Sequence, residues 1–250
     1  MLSAGGSALL AMLAPGSWGG SAPAMAVAKL PPPSLQQQYD KYSGSYDDLD
    51  GGPLAAALGF PELRSALLAT ARGQVLELGV GTGLNLQHYP LGDTVQRITA
   101  VDLSEGMLGM ARKRAATLGL PAPDSGVSAT ARPSIEFWQA DVMGLPAPWQ
   151  PESFDTVVDT FSLCVFADPL RALRGAAALL RPSGRLLLLE HSRSDFPPLG
   201  AYQDVTAGAV AAMAKGCAWN QVRAASPQVQ GLRPGQMRAE RKRRAAGLCS

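Results

Sequence analysis

The chain has 250 residues, 46% of them hydrophobic, with 22 Lys and Arg against 20 Asp and Glu. That is enough apolar sequence for a full α/β core, and one domain with extensions is expected. Seven of the basic residues and a single acid fall in residues 221–250, so the body is mildly acidic and argues against nucleic acid bound across it. Cys164, Cys217 and Cys249 have neither metal-ligand spacing nor the density of a disulfide framework, and no metal is expected.

The first 39 residues hold no acid and one base, Lys29, among Ala, Gly, Ser, Pro and Leu. The apolar run from Ala8 to Ala14 is too short to cross a bilayer, which takes about 20 residues. It has the length of a signal h-region, and Ala22-Pro-Ala24 and Ala24-Met-Ala26 supply small-residue cleavage patterns. Residues 1–34 are expected to be a targeting leader, for the chloroplast, including its thylakoid lumen, before the mitochondrion, or else a disordered leader. No transmembrane helix is expected. Tyr39, Tyr42 and Tyr46 then fall on one face of a short helix that Gly44 weakens.

Val75 to Leu78 is a short apolar strand that runs into Gly79-Val-Gly-Thr-Gly83, a loop whose glycines let a ligand lie against bare backbone. A second strand, Ile98 to Val101, ends in Asp102, the position from which a carboxylate meets ribose hydroxyls in nucleotide-binding α/β units. A loop serving NAD spaces its glycines G-x-G-x-x-G, whereas Leu84 stands at the third place here. Glu77, just before the loop, repels phosphates and suits a ligand bearing an ammonium and a sulfonium. A third strand, Ile135 to Ala140, ends at Asp141-Val142 and offers an acceptor for an adenine amine. Parallel sheets place ligands outside the carboxyl ends of their strands, so Glu77, Asp102 and Asp141 are expected to converge.

These residues resemble the class I S-adenosylmethionine-dependent methyltransferases, in particular the small-molecule branch that includes ubiquinone/menaquinone methyltransferases and methyltransferase-like organelle proteins. The match runs from about Gln36 to Asn220. It is carried by Val75-Leu-Glu-Leu-Gly-Val-Gly-Thr-Gly83, Val101-Asp-Leu-Ser-Glu-Gly-Met107, Gln139-Ala-Asp-Val142, Ser153-Phe-Asp-Thr-Val-Val158 and Leu180-Arg-Pro-Ser-Gly-Arg-Leu186. The resemblance implies a Rossmann-like three-layer α/β sandwich with a mostly parallel central sheet, and S-adenosylmethionine as cofactor. It also implies that Glu77, Gly79, Gly81 and Gly83 hold the methionine part, Asp102 the ribose, and Asp141 with Val142 the adenine, with Leu103 also binding the cofactor. In this family a segment like Tyr39 to Tyr46 lids the cofactor.

Further along, Ser104 is expected to cap a helix whose Met107, Leu108, Ala111, Ala115 and Leu118 face the sheet. Pro121 to Pro133 reads as an inserted loop. Phe154 to Phe161 is a fourth strand, and Asp168-Pro169 opens a helix with Leu170, Leu173, Ala177 and Leu180 inward. Arg181 to Gly184 should turn the chain into a fifth strand, Leu186 to Leu189, ending at Glu190-His191. His191, at that strand end, is the candidate general base, with a structural histidine bonded to a carbonyl as the alternative. An apolar substrate lid is expected from His191 to Asn220, through Phe196, Pro197, Leu199, Tyr202, Val205 and Val210. Residues 221–250 show no strand pattern and read as a basic disordered tail, leaving five of the family's seven strands. The expected activity is methyl transfer to a small apolar acceptor, a quinone, phenol, thiol or lipid-like molecule. A non-catalytic cofactor- or partner-binding relic is the alternative, with a nicotinamide oxidoreductase behind it.

Overall fold

The computed structural model describes residues 34–120, 133–145, 148–213 and 216–220. The leader up to residue 33, nearly all of the 121–133 loop, the tail from residue 221 and Cys249 lie outside the described residues.

Five strands form one sheet: β1 (Gly73–Leu78), β2 (Val95–Asp102), β3 (Ser134–Gln139), β4 (Phe154–Thr160) and β5 (Leu180–Leu189). Their order is β3-β2-β1-β4-β5 and every pairing is parallel. The first three strands build outward from β1, and β4 then returns to its other side. This reversal opens a crevice above the carboxyl ends of β1 and β4, where open α/β sheets bind ligands.

Strand periodicity separates the two faces of the sheet. Val75, Ile98, Val158 and Leu187 pack with Leu68, Leu108 and Ala111, from α4 (Phe60–Leu68) and α5 (Glu105–Thr117). Leu76, Leu78, Val157 and Leu186 pack on the opposite face with Ala172, Leu173, Ala176 and Leu179 of α6 (Pro169–Leu179). Two apolar faces per strand require helices on both sides, hence the three layers.

The helix starts follow from their caps. Ser104 Oγ accepts the Met107 N–H at 3.1 Å, and Asp168 Oδ1 accepts the Arg171 N–H at 2.9 Å, with Pro169 opening α6. The end of α5 differs from expectation. Gly119, at φ +67°, donates to the Ala116 carbonyl and Leu120 to the Ala115 carbonyl, a left-handed cap that ends the helix. Leu118 is therefore swung into solvent, 40% exposed, and Leu120 packs against the core in its place. Residues 181–184 also differ. The chain enters β5 at Leu180, opposite Phe154, and the next pairing is Thr156 with Arg185, so Arg181 to Gly184 bulge out within the strand.

Three short helices precede α4: α1 (Leu35–Tyr42), α2 (Tyr46–Asp50) and α3 (Pro53–Ala57). Ser34 and Gln37 form a capping box at the start of α1. Ser43 to Ser45, around the weakening Gly44, form the 3-10 turn that joins α1 to α2. The last helix, α7 (Pro197–Met213), follows β5. No helix among the described residues is long and apolar enough to cross a membrane.

Candidate active site

A cleft lies above the carboxyl ends of β1, β2, β3 and β4. Gly79, Asp102, Leu103, Asp141 and Val142 line one side of it, with Phe161, Ser162, Val165 and Phe166 from the segment after β4. Leu35, Gln36, Tyr39 and Tyr46, from α1 and α2, complete the wall. Five of the residues expected to hold the cofactor thus share one cleft.

Asp102 is fixed by the glycine loop itself. Its Oδ2 accepts the Gly81 N–H at 2.8 Å and its Oδ1 the Ser104 N–H at 2.9 Å. The Leu103 N–H also bonds this carboxylate, and the lone pairs left over are the acceptors that neighbouring hydroxyls require. Burial raises the Asp102 pKa above the ordinary carboxylate range, against the lowering effect of these backbone bonds. Asp141 caps the 3-10 turn Val142–Gly144 through the Met143 N–H at 2.8 Å, and its side chain is exposed at the cleft rim. Gly79 must be glycine on two grounds. Its φ is +58°, and a Cβ there would stand 2.6 Å from the Ser162 Cβ.

Glu77, Gly81 and Gly83 do not line the cleft. Gly81 serves through its N–H to Asp102, and Gly83 allows the loop to close on Leu86 and Ala111. Glu77 corrects the expectation that it faces an ammonium. It alternates with Leu76 and Leu78, so it points to the α4 side of the sheet and is 1% exposed. There its Oε1 accepts from Asn85 Nδ2 and its Oε2 from the Tyr89 hydroxyl, both at 2.8 Å. Arg64 donates to Asn85 Oδ1 at 2.6 Å and to Thr160 Oγ1 at 2.8 Å, tying this network to the end of β4. Desolvation pushes the Glu77 pKa up to about 7, against the lowering effects of the Tyr89 and Asn85 bonds and of Arg64.

His191 is likewise not on the cleft wall. Its ring packs 4.8 Å from that of Phe161 and 6.3 Å from that of Phe60, and burial lowers its pKa. Phe161 is the cleft-lining member of this stack and has φ +60°, a strained backbone for a bulky residue. Arg64 lies 5.1 Å from the centre of its ring. The expected lid from residues 191–220 is also absent from the wall. Gln203 holds α7 back, accepting the Ser194 N–H at 2.7 Å and donating to the Ser192 carbonyl at 3.1 Å. Phe196, Tyr202 and Val205 face outward.

The covering segment is instead α1 and α2, held by two acids that the sequence did not single out. Asp40 Oδ1 accepts from Ser104 Oγ at 2.6 Å and from the Gly106 N–H at 3.0 Å, and these bonds hold its pKa below the usual carboxylate range. A Cβ on Gly106 would meet the Asp40 backbone at 2.9 Å, so the glycine permits this approach. Asp47 accepts from Thr82 Oγ1 at 2.6 Å and pairs with Arg114. Both latches end on the glycine loop or the first helix after β2.

The chemistry of this cleft fits S-adenosylmethionine. Asp102 with Leu103 would take the ribose and Asp141 with Val142 the adenine. The bare Gly79 backbone would pass beside the methionine part. Among the described residues no cluster of His, Cys, Asp and Glu could hold a metal ion.

Comparison with known proteins agrees. Residues 76–188 match the methyltransferase-domain family. A phosphatidylethanolamine N-methyltransferase of Cereibacter sphaeroides is 35% identical over 148 residues, 59% of this chain and 65% of that protein. The ubiquinone/menaquinone biosynthesis C-methyltransferase UbiE of Cronobacter sakazakii is 33% identical over 135 residues, 53% of this chain and 49% of that one. The chain spans less than two thirds of either relative. A crystal structure of an S-adenosylmethionine-dependent methyltransferase from Thermotoga maritima, described as a possible histamine N-methyltransferase, shares the fold. It superposes with a TM-score of 0.54 at 22% identity, covering 80% of this chain and 78% of that one. Residues 76–188 thus form a domain of the methyltransferase-domain family.

Proposed function

We propose that the protein transfers a methyl group from S-adenosylmethionine to a small, apolar acceptor: a quinone, phenol, thiol or lipid-like molecule. The observation that carries this reading is the division of the cleft. Its acids, Asp102 and Asp141, stand at the ends of β2 and β3, while Leu35, Val165 and Phe166 supply an apolar wall. Apolar surface of this kind selects by burial rather than by charge. Two relatives are named for phosphatidylethanolamine methylation and for ubiquinone/menaquinone biosynthesis, which supports a hydrophobic acceptor.

When bound, the cofactor supplies a methyl carbon on a positively charged sulfur, open to in-line displacement by an acceptor lone pair. The protein's part is alignment and exclusion of water. Holding nucleophile and carbon about 3 Å apart removes the entropic cost of a bimolecular encounter. Tyr39 and Tyr46, closed over the cleft by the Asp40 and Asp47 latches, shield the reaction from solvent. The test uses cofactor with a labelled methyl group, offered with a quinol, a phenol, an alkyl thiol and phosphatidylethanolamine vesicles, and with a polar amine of matched size. Label in one of the hydrophobic acceptors is expected. Label in the polar amine alone would overturn the acceptor class. For location we propose the chloroplast, with the mitochondrion second, on the acid-free leader; a fluorescent fusion of residues 1–34 that stays cytosolic would refute both.

A further inference from the structure

Methyl transfer to an acceptor O–H, N–H or S–H releases a proton, and His191 meets only aromatic rings among its described contacts. A polar path leaves the cleft elsewhere. Ser162 lines the cleft while only 8% exposed, and its Oγ donates to Asp159 Oδ2 at 2.8 Å. Asp159 lies near the end of β4 and is fully buried. Glu190 follows β5 on the neighbouring strand, and its Oε1 accepts the N–H groups of Ser162 at 3.0 Å and Leu163 at 3.4 Å.

The other Glu190 oxygen, Oε2, is buried without a hydrogen-bond partner among the described residues. Asp159 is the acidic side chain that meets the Glu190 carboxyl. Two carboxylates in contact inside a protein repel strongly, and a single shared proton converts that repulsion into a hydrogen bond. The surroundings favour keeping the proton. Glu77 on β1 and Asp159 each disfavour the other's ionisation. The Cys164 thiol beside the pair is pushed up by Cys217 and by burial and stays neutral, and His191 is kept uncharged by burial. Arg64, the nearby cation, is engaged with Asn85 and Thr160. Burial raises both acids, and the Asp159 charge raises Glu190 further.

We propose that Ser162, Asp159 and Glu190 form the proton relay of the transfer reaction, with Glu190 holding a resident proton and Asp159 receiving the one that is released. This rests on the methyl-transfer reading above. As the acceptor lone pair bonds to the methyl carbon, the carbon–sulfur pair stays on sulfur. The acceptor's proton passes to Ser162 Oγ, and the serine's own proton moves to Asp159 Oδ2. The pair is then doubly protonated and neutral, and one proton returns to solvent when product leaves. Ser162 is the catalytic residue that meets the acceptor; Asp159 accepts the proton through it, and Glu190 positions and tunes Asp159.

Two measurements test the relay. Infrared difference spectra of the free protein at pH 7, wild type against Glu190→Gln, should show a protonated-carboxyl C=O band that the variant lacks. The subtraction is needed because Glu77 has a band of its own. In turnover with a protic acceptor, Ser162→Ala and Asp159→Asn should each lose about 100-fold, the size of a general-base contribution. Their cofactor dissociation constants should stay within threefold, and Asp159→Asn should abolish the acid limb of the kcat/KM profile. Ser162→Ala leaves the buried pair intact, so it remains informative if Asp159→Asn does not fold. An unchanged band in Glu190→Gln, or turnover within threefold of wild type in folded Ser162→Ala, overturns the relay. A wild-type protein that binds no cofactor overturns the methyl-transfer reading instead, and the relay with it, whatever the infrared spectrum shows.

Discussion

Removing the Asp102 carboxylate should separate two losses that the structure lets us size. In the free protein, Asp102→Ala strips the acceptor from the Gly81 and Ser104 N–H groups. Asp102 is only half-buried, so water can replace part of that acceptor and the stability cost should be about 1–3 kcal/mol. In the complex, two charge-assisted bonds to ribose hydroxyls disappear, worth about 1.5–3 kcal/mol together, or about 10- to 150-fold in affinity. Asp102→Asn keeps one oxygen but turns its amide toward one of the two N–H groups, donor against donor, so it should recover only part of either loss. Titration calorimetry with S-adenosylhomocysteine reads the affinity, and urea unfolding reads the stability. Burial raises the Asp102 pKa, so wild-type affinity should also weaken as pH falls through that raised value, and the variants should lack this dependence. A folded Asp102→Ala that binds within twofold of wild type would refute the assignment.

Three further outcomes follow from the geometry. Gly79→Ala forces a Cβ to 2.6 Å from Ser162 and should abolish measurable cofactor binding, whereas Gly81→Ala meets nothing within 4 Å and should cost about 1 kcal/mol of left-handed strain with binding retained; equal affinities in calorimetry would contradict this. Asp40→Ala or Asp47→Ala releases a latch on the covering helices and should speed cofactor dissociation about tenfold in stopped flow, while an unchanged rate would remove the helices from that role. Glu77 holds its proton up to about pH 7 when folded but releases it near pH 4.5 when unfolded, so stability falls as pH rises through that window, by up to about 3 kcal/mol for this group. Asp102, Asp159 and Glu190 are raised as well and push the same way, and unfolding titrations showing greater stability at pH 8 than at pH 5 would contradict the sign.

The elements were legible wherever a local pattern decided them. Apolar runs marked all five strands, and Ser104 and Asp168-Pro169 marked their helix starts, because caps act within a few residues. Asp102 and Asp141 were legible for the same reason: each ends a strand in a parallel sheet, which sets its place without knowledge of distant contacts. Glu77 shows where that logic stops. Its spacing from Val75 put it on one face of β1, but which face meets α4 is a tertiary fact, and so is the Asn85 and Tyr89 network that claims its carboxylate. Asp40 and Asp47 act across about sixty residues of sequence, beyond any local signal. The Asp159 and Glu190 pair did leave a trace, two acids at the ends of apolar strands. His191, one residue past Glu190, drew attention because its ordinary pKa suits a base, and its aromatic surroundings were invisible.

The account stands or falls on what occupies the cleft above β1 and β2. A crystal structure of the full chain with S-adenosylhomocysteine, grown with excess NAD as a competitor, tests this most directly. The account predicts adenosine in the cleft, with both ribose hydroxyls within hydrogen-bond distance of Asp102 and the adenine beside Asp141 and Val142, under Tyr39 and Tyr46. A nicotinamide dinucleotide in its place, or an adenosine that makes no contact with Asp102, would contradict it.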